Sequence, residues 1–237
     1  MRRTFLWRLL KRSEALKRLR RFMLRLARRG RRRLTPNSSE LGEGSVLYLT
    51  FDDGPDPIYS PQILDLLARY GAHAVFFVIG SRVEQAPDVV ERIIADGHRL
   101  GNHTWDHVPL AGLTRSAFDD QIVRTQELLR WGSAQPPTAM RPPYGSMDRR
   151  TRQWADEVGV DVVLWDIDPM DWDRPGTDHI VRAIVDEAAT GDVVLLHDGG
   201  GDRDQTVSAL ETVLEDLTAR GVSFPLLPER KGASSPP

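Results

Sequence analysis

From Val46 onward the chain alternates short apolar runs with stretches of helical periodicity. The runs VLYLTF, AVFFVI, RLGNH, TAMRPP, DVVLWD, DVVLLH and VSFPLL predict seven strands. Between them, apolar residues recur at helical spacing over about 59–70, 84–96, 116–131, 148–158, 178–189 and 204–220. Gly71, Gly97 and Gly221 fall where helices should stop. Strands that are apolar on both sides and linked through helices imply a parallel sheet covered by helices, either an open doubly wound sheet or a closed barrel.

The first 34 residues follow a different pattern. Phe5, Leu9, Leu16, Leu19, Met23 and Leu26 are spaced by three, four or seven, which predicts an amphipathic helix with an Arg-rich opposite face. The longest charge-free stretch runs only from Thr4 to Trp7. A secretory apolar region needs about 7–15 residues and a spanning helix about 20, so neither a cleavable signal peptide nor a transmembrane helix is expected as the chain is written. RRTFL looks like the start of a twin-arginine export signal but lacks the apolar stretch that should follow. Two readings stand: a helix lying on an anionic membrane, which fits a membrane-associated or cell-envelope location, or a start codon placed inside a longer export signal. The first expects vesicles rich in anionic lipid to bind the full chain and not a chain starting near Leu41; equal binding by both would refute it.

Charge divides the chain at the same place. Residues 1–34 carry 15 of the 32 Lys and Arg and one acid, Glu14, while residues 35–237 hold 17 bases against 33 acids. The expected organisation is a basic segment at 1–34, a Pro/Ser/Gly-rich linker at 35–45, a catalytic domain at 46–228 and a tail at 229–237. The acidic domain offers no basic groove with aromatic platforms, so no nucleic-acid partner is expected. With no cysteine in 237 residues, disulfides and thiolate metal sites are excluded, and any metal must be held by His and carboxylates.

Polar residues that stand out in this apolar pattern share one position. Asp52 and Asp53 end the first expected strand, His103 and His107 follow the third, Arg141 ends the fourth, Asp166 to Trp172 follow the fifth, and His197 ends the sixth. In a parallel barrel the C-terminal strand ends converge on the catalytic face. His103 and His107, four apart, can present both imidazoles to one ion from a helical turn or a tight loop, and one carboxylate of TFDDGP completes a two-nitrogen, one-oxygen donor set with coordination positions left for water and substrate. A glycosidase pair is disfavoured, because neighbouring carboxylates cannot readily stand about 5–9.5 Å apart on either side of a glycosidic bond. His98 reads as a structural hydrogen-bonding residue, and His73 and His179 as surface or helix-start residues. HDGGGDR lacks the Gly-Lys-Ser/Thr ending of a phosphate cradle and reads as a flexible active-site loop.

Five blocks in order, TFDDGP, HTWDH, RPPYG, DIDPMDW and LLH, resemble the motifs of NodB-homology polysaccharide deacetylases, carbohydrate esterase family 4, over about residues 45–225. The resemblance implies a distorted (β/α) barrel of about seven parallel strands and metal-dependent removal of acetyl groups from an acetylated glycan, usually at N-acetylglucosamine units of chitin oligomers, peptidoglycan or related polymers. It implies Asp53, His103 and His107 as metal ligands, zinc first with cobalt or another divalent ion as alternatives, and Asp52 as general base held by Arg141. It also implies His197 as general acid and the backbone N–H of Tyr144 as an oxyanion donor. Asp171 aligns with the acid that orients His197, though Asp168 competes for that role; Trp172 and Leu195 match positions lining the acetyl-methyl pocket. An acetylxylan-type O-deacetylase and a non-catalytic carbohydrate-binding relative are the alternatives.

Overall fold

The structure, a computed structural model, describes residues 41–131 and 137–229. The basic helix expected over 1–34, residues 35–40 of the expected 35–45 linker and the tail beyond residue 229 lie outside the described residues. No helix among the described residues is long and apolar enough to cross a membrane.

Six strands form one parallel sheet: β1 (Tyr48–Asp52), β2 (Ala74–Val78), β3 (Arg99–Asn102), β4 (Ala139–Met140), β5 (Asp161–Val162) and β6 (Val193–His197), in the order β5-β4-β3-β2-β1-β6. The helices are α1 (Tyr59–Arg69), α2 (Gly80–Val83), α3 (Pro87–Ala95), α4 (Arg115–Trp131), α5 (Arg149–Glu157), α6 (Thr177–Val185) and α7 (Asp204–Ala219). The expected seventh strand, VSFPLL, is not one: Ser223 makes an isolated parallel bridge to Val46, and Pro225 has no N–H to continue a ladder. TAMRPP contributes two strand residues before Pro142 and Pro143 end the pairing. The helix expected over 84–96 starts afresh at Pro87, since the residue before a proline is pushed out of helical geometry and Pro itself suits a first helical position. Asp148 starts α5 with a reciprocal capping box to Thr151.

Register sorts the strand side chains onto two faces. Leu49, Phe51, Phe76, Val78, Leu100, Val194 and Leu196 join helix residues such as Ile63, Leu67, Ile93, Ile184 and Leu214 in one apolar core. Each such side chain contributes roughly 1.5–3 kcal/mol on burial, so this outer layer fixes where the strands end. The alternate residues form the inner row: Thr50 stands beside Val75 and Leu195, and Asp52 beside Phe77 and His197. A second core of Leu110, Phe118, Ile122, Met140, Ala155 and Val160 supports β4 and its flanking helices. Beyond β5 the chain crosses to the far edge, where Ile167 bridges Val194, Ile167 N–H donates to Val193, and Leu195 N–H donates to Ile167. The sheet is thereby curled into a half-barrel rather than a regular closed one, and one inner face carries every polar group of the site.

Candidate active site

Asp52 is the last residue of β1, and its side chain falls on the inner row by register. Asp53 would alternate to the opposite face if the strand continued. Instead it adopts a left-handed conformation, φ 72°, which turns its carboxylate to the same pocket. The next residue must be glycine: a Cβ on Gly54 would lie 2.1 Å from Asp198 Oδ2. All six described non-glycine residues with positive φ, Asp53, Thr104, His107, Tyr144, Met170 and Arg174, occur in segments that follow C-terminal strand ends. Strained backbone of this kind persists only where surrounding contacts enforce it.

HTWDH is a tight loop after β3, not a helical turn. Its two imidazoles lie 5.0 Å apart between centroids and direct Nε2 at Asp53, at 3.5 Å from Oδ1 for His103 and 3.0 Å for His107. Their other nitrogens are occupied, His103 Nδ1 with the carbonyl of Arg141 at 2.7 Å and His107 Nδ1 with the Tyr144 hydroxyl at 3.0 Å. The carbonyl at His103 Nδ1 fixes the tautomer that leaves Nε2 able to bind a cation, and the Tyr144 hydroxyl can accept from His107 Nδ1–H in the same tautomer. Asp53 Oδ1 is buried without a hydrogen bond. Burial, the largest influence on Asp53, raises its pKa, but His103, His107 and the charge of His197 outweigh it and hold the carboxyl well below the usual range. The three donor atoms lie within 4.8 Å of one another, and this set fits a divalent ion.

Arg141 is fully buried. Its Nη1 donates to Asp52 Oδ1 and to Thr50 Oγ1, each at 2.8 Å, while Nε and Nη2 reach the carbonyls of Val163 and Leu164 at 3.3 Å. The guanidinium lies over the Phe77 ring, 4.2 Å from its centroid. Burial pushes the Arg141 pKa down, and Asp52 opposes that shift. The other Asp52 oxygen is 3.6 Å from His103 Nε2. Asp52 is thus tethered through one oxygen, with the second directed toward the histidine and Asp53 cluster.

His197 ends β6 beside Asp52. Asp171 Oδ1 accepts its Nδ1–H at 2.7 Å, and Asp171 Oδ2 accepts its backbone N–H at 2.9 Å. Asp168 instead accepts the backbone N–H of Met170, so of the two acids it is Asp171 that hydrogen-bonds His197. Burial, the largest single influence, lowers the His197 pKa, but the charge and hydrogen bond of Asp171, with Asp53 and Asp52 behind them, raise it to about 9. Leu195 is buried two residues before His197 on the same inner row, and Trp172 is half-buried beside Asp171.

Several site residues escaped the sequence reading. Thr50 bridges Arg141 and the Val194 carbonyl. Asp198 is fully buried against Gly54 and accepts the Ser60 hydroxyl at 2.5 Å, joining the Asp52–Asp53 turn to the first turn of α1; burial raises its pKa to about 7. The 198–203 loop, expected to be flexible, is fastened: Arg203 Nε donates to the Gly199 carbonyl at 2.8 Å, and a Cβ on Gly200 would lie 2.6 Å from Asp53 Oδ2. His98 is structural as expected, accepting the Ala74 N–H, with its pKa pushed down to about 4 by burial and then by His73.

A parallel half-barrel gathers a His-His-Asp donor set, an arginine-tethered carboxylate and a carboxylate-paired histidine at one set of strand ends, the side-chain types a hydrolase needs. The polysaccharide deacetylase family model matches residues 40–163. The chain is 42% identical over 182 residues to a peptidoglycan-N-acetylglucosamine deacetylase of Bacillus cereus, covering 76% of this chain and 84% of that protein. It is 41% identical to a chitooligosaccharide deacetylase of Rhizobium leguminosarum bv. trifolii, covering 77% and 90%. Among solved structures, a family 4 carbohydrate esterase from Streptomyces lividans in complex with acetate superposes with a TM-score of 0.73 at 30% identity, over 80% of this chain and 96% of that one. The chain belongs to the polysaccharide deacetylase family, carbohydrate esterase family 4, and is a deacetylase.

Proposed function

We propose that this deacetylase removes the N-acetyl group from N-acetylglucosamine units of peptidoglycan or of chitin-type oligosaccharides, with a divalent ion, zinc first, held by Asp53, His103 and His107. The observation that carries this reading is His197, paired through Nδ1 with Asp171 at 2.7 Å beside the donor set. An amide gives up an amine, a poor leaving group until protonated, whereas an ester's alkoxide makes a weaker demand on an acid. A carboxylate-backed imidazole suits that demand, and the likeness to peptidoglycan-N-acetylglucosamine and chitooligosaccharide deacetylases favours N-deacetylation over the O-deacetylation of acetylxylan.

A divalent ion bound at the donor set supplies Lewis acidity toward the acetyl carbonyl and acidifies water. Asp52, fixed by Arg141, takes a proton from the attacking water through its second oxygen. The backbone N–H of Tyr144, turned by its left-handed conformation, meets the developing oxyanion. His197 Nε2–H protonates the departing nitrogen, and Asp171 stabilises the imidazolium before transfer. Leu195 and Trp172 enclose the acetyl methyl in a small apolar pocket that rejects longer acyl groups. Ile58 and Leu164, large apolar residues exposed after β1 and β5, offer surface to the pyranose rings.

The acid makes a specific pH prediction. Because its pKa is raised, the protonated form and the stability of the His197–Asp171 pair are fully present below the unfolded value of about 6.5 and lost as pH rises through about 9. Turnover should therefore show an alkaline limb above neutral pH, as His197 loses the proton that Asp171 helps it hold. Asp171→Asn should move that limb toward neutrality and lower turnover at pH 8 at least ~10-fold; an unmoved limb would detach Asp171 from the acid. The substrate reading is tested by acetate release from chitin oligomers, peptidoglycan and acetylated xylan: release from the first two is expected, and release from xylan alone would favour the O-deacetylase.

A further inference from the structure

We propose that Thr206, backed by Arg203, is a positioning residue for the Asp171–His197 pair; this rests on the reading of His197 as proton donor. Thr206 lies in the first turn of α7 and is 1% exposed. A helical Ser or Thr ordinarily hydrogen-bonds the carbonyl four residues back. Two neighbours in the same helix do so, Ser208 to Asp204 at 2.9 Å and Thr212 to Ser208 at 3.3 Å. Thr206, in the first turn with no helical carbonyl four residues back, donates its hydroxyl outward to Asp171 Oδ2 at 2.9 Å.

Oδ2 thus accepts two hydrogen bonds, from Thr206 and from the His197 backbone N–H, leaving Oδ1 in line with the His197 ring. With both donors in place the carboxylate cannot rotate about its Cβ–Cγ bond without leaving buried acceptors unpaired, which is costly. Arg203, 4% exposed, restrains the same residue from the main chain: its Nη1 is 3.5 Å from the Asp171 carbonyl while Nε holds Gly199. The first turn of α7 and Arg203 just before it thereby fix Asp171 and also pin the loop that lies against Asp53.

Thr206→Val keeps the shape and removes the hydroxyl. It is expected to lower kcat about tenfold, the scale of one hydrogen bond to a charged group, with KM and metal content unchanged. The low-field proton resonance of His197 Nδ1–H should broaden or move upfield, and Thr206→Ser should restore both readouts. Thr206→Ala serves in the same role where the valine variant does not fold. A wild-type kcat and an unchanged resonance in the hydroxyl-free variant would overturn the proposal, as would a serine variant as impaired as valine. A wild-type chain without deacetylase activity would sink the functional reading instead, and the resonance, read on the chain alone, would then decide the role of Thr206.

Discussion

Asp52→Asn is expected to reduce turnover at least ~10²-fold, the usual scale for loss of a general base, while leaving metal content unchanged. The amide is isosteric, and its oxygen can still accept from Arg141 Nη1, so the side chain stays where the carboxylate was. It can no longer take a proton from water. The substitution also removes the counter-charge of a fully buried guanidinium, so a loss of stability up to about 3–5 kcal/mol should accompany it. Thermal unfolding separates that loss from the catalytic one, since activity measured well below the transition still shows the full drop. Should Asp52→Asn lose the metal while Asp53→Asn keeps it, the roles of the two carboxylates are reversed.

His107→Ala is expected to weaken metal binding by more than ~10²-fold, because changing only an outer partner of a ligand already costs about 10–100-fold. His107 supplies one of three donors, and its removal leaves His103 and Asp53 with too few bonds to hold an ion against water. Tyr144→Phe removes the hydroxyl at His107 Nδ1 and should sit in the milder range. Competition with a metal-sensitive dye measures both. Equal affinity in His107→Ala and the parent chain would place the ion elsewhere.

The outer framework of this fold was readable because its signals are repetitive: a strand buried on both faces leaves an apolar run, and its end is marked where polar residues begin. The site was readable for the same reason, since Asp52, Arg141 and His197 are charged or ionisable residues directly abutting such runs. VSFPLL misled because apolar content alone does not reveal whether a paired edge is available, and Pro225 already argued against one. Thr50, Ser60 and Thr206 were missed because buried hydroxyls look like ordinary strand and helix residues until a partner distant in sequence is known. Thr50 alone left a trace: two residues before Asp52 in an otherwise apolar run, it shares that residue's face. Choosing Asp171 over Asp168 needed the path of the chain after β5, since both lie within one short loop and a left-handed Met170 separates their directions.

The most direct test of the account is acetate release from peptidoglycan and chitin oligomers by the chain before chelation, after chelation, and after zinc is restored, with metal content determined by elemental analysis at each stage. The account predicts release at the start, none from the stripped chain, and recovery in proportion to the zinc regained. Full release by a chain shown to be metal-free would contradict it.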